Sequence, residues 1–309
     1  MIRSASLITL AALAAALTAC SPPADKTPAA DASAAATTVA ASPDVHPFTI
    51  GALQAYALRD GRLTVPNDSK TLGVGRTQAE VSAVLTAAGL SADKIDLDIQ
   101  PLLVRDGERV VLFDTGAGGQ MGTEGKLLAS LRAAGVEPAQ VTDILISHGH
   151  GDHVGGLLDA SGALIFPNAA VRMTAAEWAA LKANKNMAAL VAGITPKVQT
   201  FQPGAQVLPN ILAVAVNGHT PGHTAYEITS GGQSLLYIGD TAHHSVISVQ
   251  QPDWTIAFDG DAPTAQASRK ALLQGAAERN TRIYAVHFPW PGLGRVTKQG
   301  ETLVWTPES

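Results

Sequence analysis

In ILISHGHGDHVGG, residues 144–156, three histidines and an aspartate fall within six positions at the end of a short apolar run. VTDILISH reads as a strand. Any fold of this chain must therefore bring the C-terminal end of that strand to a place where His148, His150, Asp152 and His153 can converge. Imidazole and carboxylate are rarely spent this densely on a plain surface loop. Gly149, Gly151, Gly155 and Gly156 allow the tight turning that convergence needs. Three more candidates close other expected strands: His219 in GHTPGHT, Asp240 in LLYIGD and His287 in YAVHFPWPG. The set contains no thiolate. That mix suits zinc, and also manganese, iron or cobalt.

The surrounding pattern is of strands and helices in turn. FTIGALQAYAL and RLTV read as strands, and DLDIQPLLVRDGERVVLFDTG as a hairpin about Asp106-Gly107. A helix is expected in GGQMGTEGKLLASLRAAG, closed by Gly135. AVRMTAAEWAAL is expected to begin a helix, with Thr174 and Glu177 spaced as a capping box. The second half brings a strand in ILAVAVNGHT and a hairpin in AYEITSGGQSLLYIGD. An amphipathic helix in DAPTAQASRKALLQGAAERN, a strand in TRIYAVH and a closing hairpin in GRVTKQGETLVWTP follow. There is no repeat of fixed period. The order β-rich, helical, β-rich, helical predicts an α+β domain with two sheets face to face, helices outside and one core. The 309 residues, 46% hydrophobic and 15% charged, suffice for such a core. The net charge of −5 argues against a nucleic-acid partner, which needs a basic face.

The N-terminus has a different texture. MIRSASLITLAALAAALTAC carries one early cation, Arg3, and an apolar run too short for a membrane span of ~20 residues. It reads as a signal peptide, residues 1–20. Leu17-Thr18-Ala19-Cys20 resembles the lipobox of bacterial lipoproteins, which implies that Cys20, the single cysteine, is lipidated. Residues 21–45, rich in Ala, Pro, Ser and Thr, read as a disordered tether. The folded domain is placed at 46–309. The expected location is outside the cytoplasm: a membrane-anchored lipoprotein facing the periplasm or the exterior. The alternative is a soluble periplasmic or secreted protein.

From Phe48 onward the chain resembles the metallo-β-lactamase-fold hydrolases. His148, His150, Asp152 and His153 match their H-x-H-x-D-H motif, and His219, Asp240 and His287 match the three later ligands in order. The resemblance implies a four-layer αββα sandwich and a site for two divalent ions, Zn²⁺ first. His148, His150 and His219 would bind one ion, Asp152, His153 and His287 the other, and Asp240 would bridge them. It further implies attack by a bridging hydroxide, with Asp152 passing a proton to the leaving group. RDGRLTVPND, LLVRDGERVVLFDTGAGG, FPNAAVRM and HFPWPGLGRV resemble the methyl parathion hydrolase branch, whose relatives act on lactones and esters.

The expected activity is hydrolysis of a lactone or ester, with phosphotriester hydrolysis as the alternative. A glyoxalase-type thioesterase, a β-lactamase and a non-catalytic metal-binding lipoprotein rank below. Asp240 counts against the closest β-lactamase subclass, and the filled ligand set against a non-catalytic role. His243 stands three residues after Asp240, where lactonases of this fold often have tyrosine, and is a candidate pocket residue. His223 is a candidate partner for His219, or a structural residue. His244 has no assigned role, and His46, where the tether ends, is expected to be solvated. The candidate pocket walls are Phe48 to Asp68, the loop after Asp240 and the Phe288-Pro289-Trp290 corner.

Overall fold

The computed structural model describes residues 42–308. The expected signal peptide, Cys20 and the tether as far as residue 41 lie outside the described residues. In chain order the elements are β1 (Val45–Ile50), β2 (Leu53–Leu58), β3 (Gly61–Pro66), β4 (Leu72–Val74), α1 (Gln78–Ala87), β5 (Lys94–Ile99), β6 (Leu102–Asp106), β7 (Arg109–Phe113), α2 (Leu127–Ala133), β8 (Asp143–Leu145), α3 (Gly151–Val154), β9 (Ala170–Thr174), α4 (Ala175–Ala183), α5 (Ala188–Ile194) and β10 (Val198–Phe201). The second half adds β11 (Gln206–Leu208), β12 (Ile211–Ala215), β13 (Thr224–Ser230), β14 (Gln233–Tyr237), α6 (Ile247–Gln250), β15 (Thr255–Ile256), α7 (Ala262–Glu278), β16 (Arg282–Tyr284), β17 (Leu293–Gln299) and β18 (Thr302–Pro307).

Two seven-stranded sheets result, in the orders β1-β2-β6-β7-β8-β9-β10 and β11-β12-β13-β14-β16-β17-β18. Their inner faces meet. Ala55, Ala57, Leu102, Val104, Val111 and Phe113 of the first sheet pack with Ile211, Tyr226, Ile228, Leu235, Tyr237 and Tyr284 of the second. The alternate residues are buried too. Leu58, Leu103, Val110 and Leu112 turn outward under Leu131 and Leu181, from α2 and α4. Leu236 and Ile283 turn outward under Leu273 and Ala276 of α7. Strands covered on both faces read as unbroken apolar runs, which is why LLV, VVLF and SLLY do not alternate. The architecture is the expected αββα sandwich. Parallel strands need crossovers, and the helices supply them: α2 between β7 and β8, α4 and α5 between β9 and β10, α6 and α7 between β14 and β16.

Several local expectations change. FTIGALQAYAL is a hairpin rather than one strand, because Gly51 turns it at φ +57°. AVRMT is a strand, and the helix starts only at Ala175. The residues DLDI pair with β3, not within the hairpin at Asp106, which β6 and β7 form alone. The β3–β5 ribbon stands off the sheets and packs with α1, a helix that the sequence reading passed over. Among the described residues no helix is long and apolar enough to cross a membrane.

Candidate metal centre

Strands β8, β12, β14 and β16 run in the same direction within their sheets, and the singled-out residues follow their C-terminal ends. His148 comes three residues after β8, and His150 caps the single turn of α3, which carries Asp152 and His153. His219 lies in the loop after β12. Asp240 sits in a tight turn just beyond β14, and His287 just beyond β16. One edge of the sandwich thus gathers all seven, in two groups: His148, His150, His219 and Asp240, and Asp152, His153 and His287. The four motif glycines have no positive φ, so their expected role as sharp turners is corrected. What they supply is close approach. A Cβ on Gly156 would lie 2.2 Å from the Thr115 carbonyl oxygen, and one on Gly155 2.5 Å from that of Ala117.

The ring nitrogens are placed as if around cations. His219 Nε2 is 3.1 Å from His148 Nε2 and 2.9 Å from His150 Nδ1. Three imidazole nitrogens cannot all be satisfied by the few protons that fit among them. Asp240 faces both groups. Its Oδ2 is 3.6 Å from His148 and 3.3 Å from His219, and its Oδ1 is 3.1 Å from His153 and 3.0 Å from His287. Asp240 Oδ1 and His153 Nε2 are nonetheless buried without a hydrogen-bond partner. Buried polar atoms are ordinarily paired. Convergent, unpaired nitrogen and carboxylate donors are what divalent ions take, so the residues fit two such ions.

Electrostatics agree. Burial opposes the charge on Asp240, but His153, His287, His243 and His148 around it hold the carboxyl well below its usual range. Burial likewise works against protonated His153 and His287, yet Asp240 and Asp152 raise both above the ordinary histidine value. His219 is raised to about 9 against the same burial, by Asp240 and Asp259. His148 is pushed well below its ordinary value and His150 down to about 4, first by burial and then by neighbouring imidazoles. The cluster calls for positive charge on both sides of Asp240.

A layer of partners behind the ligands was not found from the sequence. Asp114, at φ +58°, accepts from His153 Nδ1 at 2.7 Å, from the Ser147 hydroxyl at 2.6 Å and from Tyr237 at 2.6 Å. The Asp98 carbonyl holds His287 Nδ1 at 2.7 Å, and Asp259 holds His219 Nδ1 at 3.0 Å. Glu177 is half of the expected capping box: its backbone N–H bonds Thr174, but its side chain goes elsewhere. The carboxylate is buried and accepts from Gly149 N at 2.8 Å, Thr220 Oγ1 at 2.6 Å and Gly222 N at 3.0 Å. It ties the loop of His148 to the loop of His219. His223 does not hold His219. Its Nδ1 meets the Val216 carbonyl and its Nε2 accepts the backbone N–H of Asp240 at 3.0 Å.

A cavity of about 320 Å³ opens above the cluster, lined by His150, Asp152, Asp240, His243 and His287 at its floor and by Leu63, Leu97, Met121, Met187 and Phe258 around it. The loop after Asp240 is a wall as expected, but of the stretch Phe48 to Asp68 only Leu63 lines the cavity. The Phe288-Pro289-Trp290 corner does not line this cavity. Phe288 is buried against Trp305, and Trp290 lies under the Arg59 guanidinium. His243 is buried, stacks on His287 and has Nε2 3.1 Å from Asp240 Oδ2, while neither ring nitrogen makes a hydrogen bond. His244 points away. Its Nδ1 accepts from Val246 N and Ile247 N at the start of α6.

The family model described as the metallo-beta-lactamase superfamily matches residues 98–287. Among solved structures, AidC, a dizinc quorum-quenching lactonase in complex with the product N-hexanoyl-L-homoserine, is 32% identical; the match covers 86% of this chain and 97% of that one, with a TM-score of 0.80. The hydrolase AbOPH of the beta-lactamase superfamily is 27% identical over 86% of this chain and 98% of its own, with a TM-score of 0.76. A probable metal-dependent hydrolase from Staphylococcus aureus is 20% identical over 84% and 99%, with a TM-score of 0.71. No curated protein sequence matches the chain.

Proposed function

The chain belongs to the metallo-beta-lactamase superfamily and is a metal-dependent hydrolase, and from that premise we propose that it opens lactone rings, with simple esters as related substrates. The observation that carries this reading is the cavity: a floor of imidazole and carboxylate under predominantly apolar walls. Such a space takes a compact electrophile bearing an apolar arm. The likeness to a dizinc lactonase across 86% of the chain supports it.

In this reading His148, His150 and His219 would hold one ion, Asp152, His153 and His287 the other, and Asp240 would be shared, one oxygen toward each group. Bound divalent ions supply Lewis acidity and lower the pKa of water from ~15.7 to ~7. Zinc suits the donors, as do manganese, iron and cobalt. Asp152 is the carboxylate of the set most open to the cavity, with Oδ2 3.5 Å from His287 Nε2. It accepts the proton lost as water oxygen bonds to the carbonyl carbon, and returns it to the ring oxygen as the C–O bond breaks, leaving a hydroxy acid. His243 offers an otherwise unpaired imidazole to a substrate oxygen. The walls exclude bulk water and seat the arm.

Export and anchoring through Cys20 are part of the same proposal: lipidation supplies a role for a lone cysteine behind an apolar leader. Replacing Cys20 with alanine is expected to release the chain from membranes, and firm retention of that variant would remove the anchor. Substrate class is tested by presenting the zinc-loaded chain with a γ-lactone bearing a long acyl arm, an aryl ester and a phosphotriester. Lactone opening with the highest kcat/KM supports the reading. Turnover of the phosphotriester alone overturns it in favour of that alternative.

A further inference from the structure

The two groups of ligands are braced from behind by largely separate residues; the Ser147 hydroxyl is shared, 3.1 Å from His148 Nδ1 and 3.4 Å from His153 Nδ1. On the side of Asp152, His153 and His287 the braces are Asp114, fixed by Ser147 and Tyr237, and the Asp98 carbonyl on β5. On the other side His219 Nδ1 rests on Asp259 Oδ1, and Asp259 Oδ2 is gripped by Arg269 Nη2 at 2.7 Å. Arg269, on α7, is 0% exposed. Its other nitrogens bond backbone carbonyls: Nε that of Thr241 at 2.8 Å, and Nη1 those of Pro252 at 3.1 Å and Trp254 at 3.3 Å. One guanidinium thus fixes the brace of His219 and the segment leading to Phe258. Asp240, next to Thr241 in the chain, has a tie of its own besides, its backbone N–H held by His223.

We propose that Asp259 and Arg269 are positioning residues for the ion held by His148, His150 and His219, and for that ion alone. The inference rests on the two-ion reading given above. An imidazole that donates from Nδ1 keeps a lone pair on Nε2, and the carboxylate of Asp259 enforces that tautomer. An asparagine there has one acceptor and one donor end. With its oxygen toward His219, its NH₂ opposes Arg269, donor against donor. With its oxygen toward Arg269, its NH₂ donates to Nδ1 and shifts the proton to Nε2, the atom that faces His148 and His150. Either arrangement weakens that half of the site and leaves Asp114 and Asp98 untouched. A lysine at 269 keeps the charge, but one ammonium cannot reach the three carbonyls and Asp259 together.

The test is the zinc content of the full chain after loading and dialysis, with the rate of release to a chelator, for the native protein and for Asp259→Asn and Arg269→Lys. The native chain is expected to hold two ions. Each variant is expected to hold one firmly and to lose the other at least about tenfold faster, as weakened partners behind a ligand cost 10–100-fold in affinity. Asp114→Asn, combined with Asp259→Asn, is expected to release the remaining ion as well. A variant that keeps both ions at the native release rate, or sheds both together, overturns the proposal. The second pattern is what a purely structural role for the pair produces. If Asp259→Asn does not fold, Arg269→Lys carries the same reading. A native chain holding fewer than two ions overturns the two-ion reading itself, a failure distinct from equal behaviour of variant and native protein.

Discussion

In the cluster beneath the cavity three ligand imidazoles have the second ring nitrogen tied down, His153 to Asp114, His219 to Asp259 and His287 to the Asp98 carbonyl, and all three are buried. At the rim, Met121 is 52% exposed at φ +58°, Phe258 is 37% exposed and Met187 is half-buried. These three imidazoles are over-determined, each fixed by a partner that is itself held. The rim is made of unbranched or aromatic apolar side chains that shift at small cost. On the proposed reading the difference is a division of labour: the floor would set the chemistry, and the rim which apolar arm is accepted.

The largest effect is expected at Asp152. Asp152→Ala is expected to lower kcat by about 10²–10⁴-fold, the usual worth of a positioned acid–base group, with the fold retained. Unchanged turnover would end its assigned role. Next comes His244, whose ring is buried but touches no ligand. Burial lowers it to about 4 from an ordinary 6.5. The unfolded chain therefore takes up its proton first as pH falls. The stability that neutral His244 supports is full above about pH 6.5 and declines toward pH 4, by up to about 3 kcal/mol. Unfolding followed across that range should show the decline, and His244→Asn should flatten it.

Glu177→Gln tests whether the floor depends on its outer ties. An amide retains one oxygen for Gly149 but turns a donor toward Thr220 and Gly222, which also donate. A loss of about 10–100-fold in ion affinity or kcat/KM is expected, measured by chelator competition and kinetics. The smallest effect belongs to the rim. Phe258→Ala and Met187→Ala should raise KM for a long-arm lactone by up to about 10-fold and leave kcat within about 2-fold, since they remove binding shared by ground and transition states. A fall in kcat with unchanged KM would place these residues with the floor.

The sandwich and the seven clustered positions were legible because their signals are local: apolar runs give strands, and the H-x-H-x-D-H spacing and the strand-end histidines stand out by residue type. The braces were not. Asp114, Asp259 and Arg269 look in sequence like ordinary loop and helix charges, and only tertiary contact assigns them partners. Glu177 was misread because the S/T-x-x-E spacing fits a capping box, yet the site offered its carboxylate stronger donors. Met121 and Met187 escaped notice as walls because they lie far from the motif and reach the cavity only through loop packing. Leader and tether are compositional readings that the described residues meet only at the tether's expected end, where Val45 already belongs to β1.

The most direct measurement is lactone ring opening by the purified chain, followed together with its bound zinc as a chelator is added and zinc then returned. Two ions per chain are expected, with ring opening lost as they leave and recovered on reloading. A chain that carries two ions yet opens no lactone ring, or one whose ring opening is indifferent to their removal, contradicts the proposed function.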